Sequence, residues 1–265
     1  MCRINFYILL FLFFTKISIG DEVKIQSTTS TRDSGLYSFL LPMYPEFNLT
    51  KIKVIAVGTG QAILNAKNCD GDILIVHDKD RELSFMADGF GSKRHELMYN
   101  DYVIIGPSSD PANIINSKTA NQAFFKIYNS RSKFISRSDS SGTYTFERSI
   151  WNKVGIKPRK FSGKWYLESG QGMGPSLNIA VAINAYTLSD RSSWLKFNNK
   201  RSHTILYENQ AELRNEYGMI LINKEKCPNT NSEAATKLFN WLASPEAQKL
   251  IEAYKINQSQ VFYIY

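Results

Sequence analysis

From Val23 onward one unit recurs along the chain: a short apolar run of strand length, a turn of small hydroxyl residues or glycines, then a segment with helical spacing of apolar residues. Val23 to Gln26 is followed by Ser27-Thr28-Thr29-Ser30-Thr31 and a predicted helix from about Ser34. Lys53 to Val57 is followed by Gly58-Thr59-Gly60 and a helix from Gln61, and Ile73 to His77 by a helix over Arg81 to Asp88. Such alternation predicts an α/β protein with mostly parallel strands. After the apolar run Tyr102 to Pro107 the unit restarts, with a helix over residues 119–130, a strand over 133–137, the turn Ser138 to Thr143 and a helix over 144–155. Gly218 to Asn223 again reads as a buried strand, and Ser232 to Tyr254 as one long amphipathic helix region. Two isolated crossing strands around a middle segment predict two α/β lobes. Lobe I is expected over 21–105 and 218–265, lobe II over 106–217, with hinges near Gly106-Pro107 and Tyr217-Gly218. In such architectures ligands bind in the crevice at the strand carboxyl ends.

Residues 1–20 are expected to be a cleaved secretory signal and not part of the fold. Arg3 starts them, Phe6 to Phe14 is apolar but too short to span a bilayer, and Ser18 and Gly20 precede the expected cut before Asp21. The expected location is therefore periplasmic or otherwise extracytoplasmic. From residue 21 onward, 30 basic side chains face 24 acidic ones. That excess is mild and reads along the chain as scattered, so nucleic acid is not an expected partner. Cys69 and Cys227 remain after export; a disulfide between them and two separate buried thiols are both compatible with the sequence.

Three of the strand-to-helix turns concentrate hydroxyls and glycines: Ser27 to Thr31, Gly58 to Gly60, and Ser138 to Thr143 after Arg137. Each following helix presents N–H groups without intrahelical partners, which suits an anion. Serine and threonine at such places usually act as N-caps, and a single turn would mean no more than that. Three of them, in both expected lobes, point to a shared site. Arg137 ends its strand and carries a fixed positive charge that can hold two oxygens of a tetrahedral anion; pairing with Asp139 is the competing use. The orientation of Asp139 is informative, because a protonated phosphate needs an acceptor whereas a fully deprotonated oxyanion needs donors only. Gly170-Gln171-Gly172-Met173-Gly174 opens another helix and offers a further set of donors, without the spacing of a dinucleotide fingerprint.

Catalytic and metal signals are weak. His77, His95 and His203 stand apart, the cysteines form no Cys-x-x-Cys, and Ser130-Arg131-Ser132-Lys133 lacks partner motifs. No catalytic residue, metal or cofactor is expected. Trp165, Tyr166 and Trp194 are expected in the core and its rim rather than in a sugar pocket.

At these turns the chain resembles the TupA-type periplasmic substrate-binding proteins of tungstate ABC importers. The family's TTTSTxDSGL entry stands as Ser27 to Leu36 with Ser in the first place. VIAVGTGQA is intact at Val54 to Ala62, and MYNDFVIVGP appears at Met98 to Pro107 with Tyr102 and Ile105 as changes. SRGDDSGT appears at Ser136 to Thr143 with Ser138 and Ser140 departing from Gly and Asp. WYLExGQGMG stands at Trp165 to Gly174 and AYTLxDR at Ala185 to Arg191. The resemblance implies a type II periplasmic binding-protein fold, tungstate as ligand with molybdate close behind, and delivery by a monomer to a membrane permease with its ATPase. It carries the oxyanion site onto Thr28, Thr29, Ser30, Thr59, Arg137, Ser141, Gly142 and Thr143, with Gly58 and Gly172 as additional candidates. A phosphate or sulfate binder of the same fold is the alternative, and an exported phosphate-ester hydrolase or a sensor module lies further off.

Overall fold

The computed structural model describes residues 21–265, so the expected signal lies outside the described residues. Chain order begins with β1 (Asp21–Thr28), α1 (Thr29–Asp33), α2 (Leu36–Leu40), β2 (Thr50–Val57), α3 (Thr59–Lys67), β3 (Ile73–Val76), α4 (Lys79–Ala87) and β4 (Gly91–Pro107). It continues with α5 (Ala120–Ser130), β5 (Phe134–Ser136), α6 (Gly142–Lys153), β6 (Tyr166–Glu168), α7 (Met173–Ala182), β7 (Tyr186–Asp190), α8 (Arg191–Lys196) and β8 (His203–Glu208). β9 (Arg214–Ile222), α9 (Ser232–Leu242) and α10 (Pro245–Ala253) follow.

The strands form the order β2-β1-β3-β9-β4-β7-β5-β6, with β8 paired to β4 off this path. Parallel pairing joins β1 to β2 and β3, and β5 to β6 and β7, as the strand–turn–helix repeat requires. β4, β8 and β9 enter only antiparallel pairs, and β4 is 17 residues long. Up to Asp101 it pairs with β9; from Tyr102 it pairs with β7, and from Val103 also with β8. One strand therefore serves two sheets. Each sheet has its own apolar core. Val23, Ile25, Ile73, Met98, Tyr217 and Phe239 belong to the first, and Ile104, Phe124, Phe134, Trp151 and Trp165 to the second.

The exchange of sheet partners falls at Asp101–Tyr102 and at Leu213–Arg214, some residues before the expected hinges. At Gly106 a Cβ would lie 2.5 Å from the Tyr186 ring, so its lack of a side chain serves packing. Tyr217-Gly218 is mid-strand in β9, where a Cβ on Gly218 would meet the Glu82 carboxylate. Two further expectations are corrected. The polar run after β1 is itself helical, since Thr28 caps α1 and Gly35, at φ +85°, separates it from α2. The final helix region is two helices, because Ser244 caps a new helix whose first turn holds Pro245, and proline cannot continue the preceding one. Trp165, Tyr166 and Trp194 are buried as expected.

Cys69 and Cys227 form a disulfide, with Cα atoms 5.2 Å apart and a sequence separation of 158. It ties the chain just after α3 to the segment leaving β9. Closing so long a loop restricts the unfolded chain by about 3–5 kcal/mol in the chain-entropy account. Reduction, or Cys69→Ser with Cys227→Ser, is expected to lower the melting temperature by roughly 10 °C; coincident oxidised and reduced melting curves would contradict this.

Glu147 is buried in the second core, where its Oε1 accepts hydrogen bonds from Trp151 Nε1 (3.1 Å) and the Tyr166 hydroxyl (2.9 Å). Burial is the main cause that pushes its carboxyl up to about 8. The folded chain thus keeps a proton that the unfolded chain releases above the ordinary glutamate value. Stability is full below that value, declines as pH rises through the window up to about 8, and levels off above it. Glu147→Gln keeps the acceptor oxygen and is expected to flatten this decline, with a gain at pH 8 on the order of a few kcal/mol. Denaturation midpoints across pH 5 to pH 9 (roughly, spanning the window) read the difference between the two proteins.

Candidate oxyanion site

The carboxyl ends of β1, β2 and β5 deliver the three hydroxyl turns to one seam between the sheets. Thr28 ends β1 and caps α1, its Oγ1 lying 2.7 Å from Thr31 Oγ1 and 3.1 Å from Ser30 Oγ. Thr28 and Ser30 are buried and Thr29 is partly buried. Thr59 is the first residue of α3 after the extended Gly58, and it is 1% exposed. No neighbour lies within 4 Å of a Cβ built on Gly58, so close packing does not explain that glycine.

Arg137 follows β5 and is 4% exposed, so it faces the interior of the seam and not solvent. Its Nη2 donates to Asp139 Oδ2 at 2.6 Å, while Nε is buried without a partner. The other Asp139 oxygen accepts from the Ser141 N–H (3.1 Å) and the Ser141 hydroxyl. Ser141 Oγ in turn accepts from Tyr144 N as the cap of α6. One Arg137 nitrogen therefore pairs with Asp139 and orders the turn, and another remains a buried donor. Both Asp139 oxygens are engaged within their own loop. Thr143 Oγ1 is a second buried polar atom without a partner. A buried donor left unmade costs about 1–3 kcal/mol, so these two atoms have hydrogen-bonding capacity to spare.

The turns meet across the seam. Gly142 N donates to Thr59 Oγ1 (3.2 Å), and Gly60 N and Arg81 Nη1 both donate to the Ser140 carbonyl (3.1 Å each). Such approach demands glycine: a Cβ on Gly142 would sit 2.6 Å from the His77 carbonyl oxygen, and one on Gly60 would sit 2.9 Å from Ser140 Cβ. Gly172 caps α7, and the next residues Met173 and Gly174 share a cavity with Thr29 and Ser30. Gly172 itself does not line that cavity; its helix start is brought beside the first turn.

Sequence reasoning passed over His77, Tyr102, Asp190 and Asn215. His77 follows β3 and is buried, with Nε2 3.4 Å from Ser30 Oγ and Nδ1 3.3 Å from the Tyr102 hydroxyl. Burial is the largest cause that lowers its pKa, Asp190 opposes it, and Arg137 adds to it. The imidazole is thus held neutral at pH 7, as one hydrogen-bond donor and one acceptor. Tyr102 stands where β4 changes partners, and burial raises its pKa far above the ordinary tyrosine range. Asn215 on β9 donates to Asn100 Oδ1 (2.7 Å) and the Tyr217 hydroxyl (3.1 Å), bracing the two crossing strands. Asp190 caps α8 through Oδ1 and leaves Oδ2 buried and unpartnered. His77 and Asp190 stand at the carboxyl ends of β3 and β7, whereas Tyr102 lies inside β4 and Asn215 near the start of β9, so only the first two carried a positional signal. Among the described residues no His, Cys, Asp and Glu cluster has the makeup of a metal site, and no helix is long and apolar enough to cross a membrane.

Residues 20–246 match the family model described as PBP superfamily domain. A tungstate-binding protein TupA from Peptoclostridium acidaminophilum is 40% identical over 242 residues, covering 90% of this chain and 83% of that protein. The crystal structure of the tungstate ABC transporter from Geobacter sulfurreducens aligns with TM-score 0.80 at 42% identity, covering 88% of this chain and 98% of the other. The tungstate-binding protein TupA from Desulfovibrio alaskensis aligns with TM-score 0.79 at 38% identity, covering 92% and 98%. The chain belongs to the PBP superfamily domain family and, within it, to the TupA-type substrate-binding proteins.

Proposed function

We propose that this chain captures tungstate, and molybdate as a close second, between its two lobes and delivers it to an ABC importer. It is a binding protein and not an enzyme. The observation that supports the reading is the meeting of the turns: Gly142 N donates to Thr59 Oγ1, Gly142 lies against the His77 carbonyl, the His77 ring lies by Ser30 Oγ, and the buried Arg137 keeps its Nε unpartnered. The buried, unpartnered Arg137 Nε and Thr143 Oγ1 can both donate, as a fully deprotonated tetrahedral dianion requires. Phosphate, which keeps a proton near neutral pH, gains no acceptor from Asp139, whose oxygens are engaged by Arg137 and Ser141. Sulfate is smaller than tungstate and leaves the same donors at longer reach. Gly58 gives the second turn its extended entry into α3, and Gly172 starts α7 beside the first turn.

Closure is the working step. The oxyanion meets one lobe, then bridges donors from both, and only the closed form satisfies every oxygen. Bending concentrates where the strands exchange partners, at Asp101–Tyr102 and Leu213–Arg214, so lobe I is residues 21–101 with 214–265 and lobe II is 102–213. A monomer outside the cytoplasm, released from its leader, presents the closed lobes to a permease with its ATPase.

A thermal-shift panel of tungstate, molybdate, sulfate and phosphate tests the ligand class, since a ligand that binds only the folded chain raises its melting temperature. Tungstate is expected to shift it most and phosphate least; a phosphate shift above that of tungstate refutes the assignment. Arg137→Gln is expected to cost at least about 1.5 kcal/mol of tungstate binding by calorimetry, and unchanged affinity would remove Arg137 from the site. Gly142→Ala places a methyl group against the His77 carbonyl and should weaken tungstate binding by about tenfold or more, while the chain still folds, because both lobe cores are untouched.

A further inference from the structure

The positive charge that reads as scattered along the chain is concentrated. From Lys126 to Glu168 there are ten Lys and Arg against three carboxylates. The rest of residues 21–265 is close to neutral. Eight of these cations are exposed: Arg131, Lys133, Arg148, Lys153, Lys157, Arg159, Lys160 and Lys164. Of these eight, only Arg159 has a carboxylate partner within salt-bridge distance among the described residues, Glu168 at 3.0 Å.

They share one end of the second half. Lys157, Arg159, Lys160 and Arg148 line a cavity of about 340 Å³, and Arg131, Lys133 and Lys164 line a neighbouring one. The short turn Pro158–Phe161 joins the two, giving Arg159 and Lys160 to the first and Phe161 to the second. This end is remote from the oxyanion turns. Lys133 precedes the strand that Arg137 follows, and Lys153 ends the helix that Gly142 begins, a separation of about 18 Å along a helix of this length.

Aromatic rings form the rim. The Arg131 guanidinium lies over the Tyr128 ring (4.1 Å) and near Phe161 (5.0 Å). Phe125, 49% exposed, sits 6.4 Å from Tyr128 on the same helix. Long unpaired cations bordered by half-exposed rings match a membrane–water interface, where ammonium groups meet headgroup phosphates and rings rest at headgroup depth.

We propose that this basic face adsorbs the protein to an anionic lipid surface, independently of the oxyanion site. A field of mobile headgroups suits it because the cations are flexible, exposed and not arranged into fixed forks.

The test is flotation with vesicles containing about 30 mol % phosphatidylglycerol in phosphatidylcholine, against vesicles of phosphatidylcholine alone, using the oxidised protein. Binding to the anionic vesicles only, lost between about 50 and 300 mM salt, is expected. The triple change Lys157→Glu, Lys160→Glu and Lys164→Glu should reduce that binding at least about tenfold, with its melting temperature little altered. The pair Lys249→Glu and Lys255→Glu, exposed on the other half, should leave it nearly intact. Equal loss in the two variants would show net charge and not this face to be responsible. Equal binding to both vesicle types, or retention by an acidic polypeptide or duplex DNA without retention by vesicles, would overturn the proposal.

Discussion

Two sheets hang on one strand. β4 runs for 17 residues without a break and hydrogen-bonds to β9 along its first part and to β7 and β8 along its second. Because the strands on either side are largely parallel, their helices start at their carboxyl ends, and those ends face the seam around Tyr102. Unpaired N–H groups and capping hydroxyls are thereby collected where the two halves meet. No separate device is needed to bring donors together; the shared strand does it.

The surroundings of these donors keep them ordered but not all satisfied. Asp139 spends both oxygens on Arg137 and Ser141, which fixes the turn and leaves no free carboxylate oxygen on that loop. The buried Nε of Arg137 and hydroxyl of Thr143 remain without partners. Burial holds His77 neutral between Ser30 and Tyr102, so the seam does not gain a second fixed charge there. Gly60 and Gly142 let backbone meet backbone across the gap. A methyl group at either place would keep the halves apart, which explains why small residues and hydroxyls cluster at these turns.

Other tasks are kept away from the seam. The disulfide joins segments at the outer side of the first sheet, and the protonated Glu147 lies deep in the second core. The excess positive charge sits at the far end of the second half, around the turn Pro158–Phe161. A field placed there is largely screened from Arg137, since separation beyond about a Debye length screens exposed charges.

Strand-to-helix alternation, the three hydroxyl turns and the position of Arg137 after a strand were legible in the sequence, because each is written locally: period, capping residue and charge lie within a few positions. For the same reason the concentration of cations over residues 126–168 was readable and was passed over by viewing the chain as a whole. Local pattern failed where two states differ little. The run after β1 reads equally as a turn or as the first turn of a helix, and the final helix region breaks at a serine cap and a proline that an amphipathic count ignores. Only the tertiary structure decided that Cys69 meets Cys227, that Gly106 packs under Tyr186, and that His77, Tyr102 and Asn215 flank the site. These depend on contacts between residues far apart in the chain, and no local periodicity encodes which distant neighbour a buried side chain will face.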